Sequence, residues 1–280
     1  MRPQDIIDHT NFPLDQPDSH AYQEAVQQVQ AGLAADGCSV IKNFLSPAGL
    51  AAILGEAEER KSQAYYAPKK ICNIYLGEGN PEKAADHPQN HFLERTNGFI
   101  TSDLLSEGTA AHSLYYWPPL RKFLADCLNK NELFIYADPV SNMIVNVAEK
   151  GQQFNWHYDT NEFTITFLLK AALAGGHFEY VPNLRNAEDE CIDDVKRVLA
   201  GDRSRVKRLN LQAGDLQFFL GRYSLHQVTA NEADSERLLL IQSFCEEDGV
   251  TGNPFRVKDL YGKTTAAHEQ SRVVSDNLLD

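Results

Sequence analysis

Apolar and polar positions alternate with one period in the first half of the chain and another in the second. Along residues 19–35 apolar side chains recur at helical spacing, at Ala21, Ala25, Val26, Val29 and Leu33, with Gly37 as a stop, so a helix is predicted there. A short strand over 38–44 follows. Ser46-Pro47 then opens a second helix over 48–62, serine serving as N-cap and proline occupying the first turn. Residues 104–129 return to helical spacing, interrupted at Pro118-Pro119. Residues 77–91 (GEGNPEKAADHPQNH) are turn-rich and read as a long exposed loop, of the kind that faces a substrate or closes over one.

From residue 132 the period shortens. β-rich segments are predicted at 132–137, 141–148, 154–159, 163–169, 177–181, 206–211, 216–220, 224–229 and 237–244, many separated by glycine turns or by the polar stretch 231–236. One helix interrupts them at about 187–200. Such a run of short strands points to a sandwich or barrel of the jelly-roll kind. The simplest layout is a single domain over 1–280: a helical part over about 1–130, a jelly-roll core over 131–245, and a C-terminal extension over 246–280. Beyond about 262 the extension is polar and reads as a flap or a frayed end.

Composition narrows the partners. No apolar run approaches the roughly 18 residues of a membrane span, and the first residues lack the apolar core of a signal peptide. A soluble, cytoplasmic protein is expected. The formal net charge of −13 argues against a nucleic-acid partner, because phosphate binding needs a cationic face. The best basic segment, Arg203, Arg205, Lys207 and Arg208, lies just downstream of the acidic run 188–194 and reads as solvated surface. Five scattered cysteines form no close pair, which suits reduced thiols and excludes a cysteine zinc site.

The candidate chemistry lies among nine histidines. His9, His20, His87, His91, His112 and His268 are read as surface or loop residues. Two others open a His-x-acid triplet: His157-Tyr158-Asp159 and His177-Phe178-Glu179. On a strand, residues i and i+2 point the same way, so either triplet can present an imidazole and a carboxylate to one metal ion. A histidine from a neighbouring strand would complete a set of two histidines and one carboxylate that leaves coordination positions open. About one such triplet arises by chance at this composition, so the pattern alone decides nothing. The 157 triplet sits at a strand end before a polar turn, which suits the mouth of a barrel; the 177 triplet looks like the body of a strand. The third ligand candidate is His226. Arg237 opens the apolar segment that follows, and a hairpin over 231–236 would lay the two strands side by side. A guanidinium at the floor of an apolar pocket grips a carboxylate. The alternative is a structural histidine and a surface arginine paired with Glu236 or Asp234.

The stretches Asn155-Trp156-His157-Tyr158-Asp159-Thr160-Asn161-Glu162-Phe163 and Gly175-Gly176-His177-Phe178-Glu179-Tyr180-Val181-Pro182-Asn183 carry a resemblance, as do 211–220, Gly221-Arg222-Tyr223-Ser224-Leu225-His226-Gln227-Val228-Thr229 and Arg237. Together they resemble the Fe(II)/2-oxoglutarate-dependent oxygenase superfamily, and within it the HalD/BesD-like group of amino-acid halogenases and hydroxylases. The resemblance covers about 150–245 and implies a mainly β fold with flanking helices, its core a double-stranded β-helix. It implies iron ligands His157, Asp159 and His226, with Arg237 binding the distal carboxylate of 2-oxoglutarate and O2 as the other co-substrate. It also implies that His177 and Glu179 lie in a core strand, away from the metal. Halogenases of the group carry glycine where this chain has Asp159, so hydroxylation of an unactivated C–H is expected. The serine or threonine often found two residues beyond the arginine is Leu239 here. The implied substrate is a free amino acid or small derivative. Asp138 and Glu162 are candidates for its ammonium group, Arg95 and Arg222 for its carboxylate. Halogenation by the same fold, a cupin-like enzyme that works without 2-oxoglutarate, and a non-catalytic binding or sensing module are the alternatives.

Overall fold

The computed structural model describes residues 1–270 and 278–279. In chain order, a short helix α1 (Pro3–Ile6) leads to α2 (His20–Asp36), strand β1 (Cys38–Ile41) and α3 (Pro47–Arg60). Three short strands follow: β2 (Ile71–Cys72), β3 (Leu93–Glu94) and β4 (Gly98–Ile100). Helices α4 (Ala110–Tyr115) and α5 (Pro118–Cys127) complete the N-terminal half. The second half holds β5 (Phe134–Ile135), β6 (Met143–Ala148), β7 (Phe154–His157), β8 (Thr164–Lys170), β9 (Phe178–Val181), α6 (Ile192–Leu199), β10 (Lys207–Leu209), β11 (Leu216–Phe219), β12 (Leu225–Val228), β13 (Arg237–Gln242) and β14 (Phe244–Cys245). Helix α7 (Pro254–Tyr261) comes last. Its start and stop have local causes. The Asn253 side chain accepts from the backbone N–H groups of Phe255 and Arg256, and Gly262 takes the left-handed conformation that ends it.

Two antiparallel sheets make the core. The larger runs β1-β11-β8-β13-β6-β4 and the smaller β10-β9-β12-β7. Strict alternation gives the larger sheet two different faces. Val145, Val147, Ile165, Phe167, Leu169, Leu216, Phe218, Leu238 and Leu240 pack outward on apolar residues of α1 to α5 in one cluster. Their neighbours in sequence, among them Ile144, Asn146, Thr166, Gln217, Phe219, Arg237, Leu239 and Ile241, face the space between the sheets. The smaller sheet also has two faces: Trp156, Val181 and Leu225 pack outward with Val195 and Val198 of α6. This is the double-stranded β-helix.

Four expectations need correction. The chain over 231–236 does not lay the His226 and Arg237 strands side by side: β12 pairs with β7 and β9, whereas β13 pairs with β6 and β8. β12 lies in the smaller sheet and β13 in the larger, so the two residues face one another across the sandwich. The N-terminal part is less helical than its texture suggests, because β1 and β4 form both edges of the larger sheet. His268, placed at the surface by its polar context, is buried, with Nε2 3.0 Å from Asp138 Oδ2. Residues 77–91 line neither of the hollows described below; Asn73 and Asn90 tie them down by side-chain hydrogen bonds to Gln89 and Asn80. Of the polar tail, residues 271–277 and 280 lie outside the described residues, so the flap is not addressed for them.

Candidate metal centre and its cavity

His157 ends β7 and His226 sits in β12, directly paired across the ladder. Between this pair and the next, Phe154 with Val228, β7 spends two residues and β12 one, which is a β-bulge. The bulge turns Phe154 and His157, three residues apart, to the same inner side. Their rings stack at 3.6 Å with planes 3° apart.

Each imidazole is oriented by its own strand. His157 Nδ1 lies 2.7 Å from the Asn155 carbonyl and His226 Nδ1 lies 3.0 Å from the Ser224 carbonyl. A carbonyl only accepts, so each Nδ1 carries the proton and each Nε2 is free as a donor to a metal. Asp159 follows the strand end, its N–H bonded to the Gly221 carbonyl at 3.1 Å. Thr164 donates its hydroxyl to Asp159 Oδ2 at 2.6 Å, while Oδ1 stands 3.5 Å from His226 Nε2. Gly221 packs so closely that a Cβ there would sit 1.9 Å from Asp159 Oδ2. The carboxylate is therefore held from both sides.

Burial, reinforced by the neighbouring His226, pushes the His157 imidazole down to about 3. For Asp159 burial alone would raise the carboxyl, but His226, His157 and the Thr164 hydroxyl outweigh it and bring it to about 2. A neutral His157 and an ionised Asp159 are the forms a cation requires. The ligand atoms of His157, Asp159 and His226 all lie within 4.8 Å of one another, and among the described residues this is the single such group of three. Nitrogen and carboxylate donors on one side of an open cavity fit a divalent transition metal.

The second triplet is not a ligand set. In β9, Phe178 and Tyr180 take the inner side, and Tyr180 pairs with His226. Glu179 therefore points the other way, where Arg203, Arg208 (2.9 Å) and Gln227 (2.8 Å) hold it. The basic segment is thereby neutralised in part by Glu179, with Lys207 on Asp36 and Arg205 on Asp194.

Arg237 lies on the cavity floor, only 3% exposed, and its Nη1 has no hydrogen-bond partner. Neither Glu236 nor Asp234 pairs with it: Glu236 binds Lys61 and Lys170, and Asp234 binds Lys150. Burial without a counter-charge pushes the guanidinium down to about 10. A buried cation without a counter-charge is strained unless an anion joins it. Leu239, Ile241, Phe178, Phe219 and Val228 supply the apolar wall, and α7 closes one side with Arg256, Val257, Leu260 and Tyr261.

The residues expected to meet the substrate fall in three places. Glu162 and Arg222 line a second hollow that shares Tyr136, Thr160, Asn161, Asn253 and Arg256 with the first, and so adjoins it. There Glu162 pairs with Lys130 at 3.3 Å and Arg222 donates to the Thr160 carbonyl at 2.8 Å. Arg95 is buried but lines neither hollow; its Nη2 binds Asp259 of α7 at 2.9 Å. Asp138 lines neither hollow either. It accepts from the N–H groups of Val140, Ser141 and Gly252 and faces His268. Sequence reasoning did not reach Thr164, Gly221 or helix α7. The last had a signal, an Asn-Pro start at 253–254 and a glycine stop at 262.

A model of one protein family, halogenase D (HalD), matches residues 94–255, more than half of the chain and all of the ligand strands. The chain belongs to the halogenase D family. No curated protein sequence matches it. Among solved structures, it is similar to the non-heme alpha ketoglutarate dependent epimerase SnoN from nogalamycin biosynthesis. Identity there is 16% and the TM-score 0.55, over 91% of this chain and 92% of SnoN. The non-heme alpha ketoglutarate dependent carbocyclase SnoK from the same biosynthesis gives 17% identity and a TM-score of 0.53, over 79% and 83% of the two chains. A Pseudomonas putida prolyl-4-hydroxylase gives 15% and 0.51, over 79% and 99%. At these identities the likeness concerns the fold, which this halogenase D member shares with oxygenases of the 2-oxoglutarate class.

Proposed function

We propose that this halogenase D member is an Fe(II)- and 2-oxoglutarate-dependent dioxygenase that hydroxylates an unactivated C–H of a free amino acid or small derivative, releasing succinate and CO2. The observation that carries the reading is the pairing of two features in one cavity: the His157/Asp159/His226 group and the uncompensated Arg237. A metal with open positions and a buried cation at the floor suit a co-substrate with a chelating 2-oxo acid at one end and a carboxylate at the other. SnoN has been solved with Fe3+ and alpha ketoglutarate, which supports the same pair of groups here.

Held by His157, Asp159 and His226, iron would supply the activation of dioxygen and the oxidation of 2-oxoglutarate. The chain supplies placement. His157, Asp159 and His226 hold the metal from one side, their outer atoms fixed by Asn155, Ser224 and Thr164. Arg237 orients the co-substrate by its distal carboxylate. Phe178, Phe219, Leu239 and Leu260 exclude water from the reacting carbon. Glu162 and Arg222 place opposite charges in the adjoining hollow, as an amino acid carries them too, and Arg95 bears on the substrate through its hold on α7.

Halogenation is the second reading, favoured by the name of the family. Asp159 supports hydroxylation against it. The carboxylate is present, ionised and held by Thr164, and a bound carboxylate occupies the coordination position a halide would take. The deciding experiment is aerobic turnover with Fe(II), 2-oxoglutarate, ascorbate and chloride over a panel of free amino acids, read by mass spectrometry. A product heavier by one oxygen with matching succinate is expected. A chlorinated product would replace the first reading by the second. Succinate at background with every amino acid would remove free amino acids as the substrate class.

A further inference from the structure

The cavity floor contains a second polar group whose place in the chain is unrelated to Arg237. Leu239 follows Arg237 by two residues on the same face of β13 and offers no hydrogen bond. Directly across the ladder from Leu239, on β6, stands Asn146. Arg237 itself pairs with Ala148, so Asn146 is its diagonal neighbour, and side chains at that offset reach one another when one is long. Val145 and Val147 belong to the outer core, which confirms that Asn146 faces inward with Arg237. Asn146 is 5% exposed, and among the described residues its amide makes no hydrogen bond. Asn146 lines the cavity, so its amide opens onto the space a ligand would fill.

Two other neutral polar side chains on the inner face of the larger sheet are already engaged. Thr166 commits its hydroxyl proton to Gln217 at 3.0 Å, and the Gln217 amide lies against Cys38 Sγ at 3.7 Å. Gln217 also stands on β11, two strands from β13. Asn146 is thus the free donor on the strand next to Arg237. A carboxylate offers about four lone-pair sites, of which a bidentate guanidinium fills two.

We propose that Asn146 is the second anchor of the distal carboxylate of 2-oxoglutarate, donating its amide N–H from β6 in place of the residue that Leu239 does not provide. The proposal rests on the co-substrate reading above. It makes Asn146 a specificity residue as well: a 2-oxo acid that ends in a methyl group leaves both Arg237 and Asn146 unsatisfied.

The test is binding rather than turnover. The full chain with Fe(II), kept under nitrogen, is titrated with 2-oxoglutarate and, separately, with 2-oxobutyrate, which has no distal carboxylate. Complex formation is followed by visible absorption and repeated by calorimetry with Mn(II). Asn146→Leu is expected to weaken 2-oxoglutarate about tenfold or more, the scale of one hydrogen bond to a charged group, while 2-oxobutyrate and the Fe(II) affinity stay as in the parent. The exchanged pair Asn146→Leu with Leu239→Asn, which moves the amide to the opposite strand, is expected to recover part of the loss. An unchanged 2-oxoglutarate affinity in Asn146→Leu would overturn the proposal, and so would an equal loss for both acids, which marks a structural residue. If the unaltered protein binds Fe(II) yet neither acid, the co-substrate reading falls and this inference with it.

Discussion

The strands β7 and β9 flank β12 on its two sides and carry the same three-residue pattern, yet one contributes to the His157/Asp159/His226 group that faces the cavity and the other to an ion cluster around Glu179 on the outer side. The difference is one residue of register. On β7 the histidine itself pairs with His226; on β9 the residue that pairs with His226 is Tyr180, one beyond Glu179. Because side chains alternate, that shift sends His177 and Glu179 to the outer side. A His-x-acid triplet is therefore a statement about two side chains sharing a face, and only pairing says which face.

Substitutions can break this comparison. The largest effect belongs to the ligands: Asp159→Ala or His226→Ala is expected to lower Fe(II) affinity and coupled succinate formation by at least about a hundredfold, whereas His177→Ala leaves both near the parent value. A dye-displacement metal titration beside a succinate assay checks this. The reverse pattern would exchange the roles of the two triplets. Next comes Gly221→Ala, whose methyl group would meet Asp159 Oδ2 at 1.9 Å and force the carboxylate aside. A loss of metal affinity greater than tenfold is expected, on the order of other orienting groups, with the fold retained by circular dichroism. Thr164→Val keeps the shape but frees the carboxylate to rotate. About a tenfold loss of affinity is expected there, measured in the same titration.

The smallest effect is on the outer side. Burial raises the Glu179 carboxyl, but Arg203, Arg208 and Gln227 more than offset this and hold it below its ordinary 4.5. Between the folded value and 4.5 the unfolded chain binds more protons, so acid favours unfolding. The stabilisation is present above 4.5 and is lost as the pH falls through the lower folded value. Glu179→Gln should cost about 1 kcal/mol at neutral pH, a gap that narrows on acidification, with metal affinity unchanged. Urea unfolding at several pH values reads this directly. A loss of metal affinity in this variant would mean that the two sides of the sheet are coupled.

Much of the core was legible because alternation is a strong signal where both faces of a strand have distinct tasks. The segments predicted from 132 to 244 all contain strands, since Leu238 and Leu240 must meet helices while Leu239 and Ile241 meet the cavity. The convergence of His157, Asp159 and His226 was legible for the same reason, although the choice of this triplet over the second leaned on resemblance. Three things were not. The partner of a strand is set by tertiary packing, so the crossing from β12 to β13 looked like a hairpin. Strand β4 spans only Gly98–Ile100, too short for a period to register, yet it closes one sheet edge. His268 offered only polar neighbours in sequence, and its burial against Asp138 depends on residues about 130 positions away.

Helix α7 starts where the halogenase D match stops, and it supplies a wall of the cavity without supplying a metal ligand. Asp259, held by Arg95, fastens that wall to the ligand-bearing core. One wall of the cavity is thereby carried by a stretch of chain separate from His157, Asp159 and His226. A chimaera that carries another member's residues 254–261 on this core, with the Arg95 partner kept, should change which substrates fit while leaving the affinity for metal untouched. Such an exchange would show that a wall of the cavity can be replaced without touching His157, Asp159 or His226.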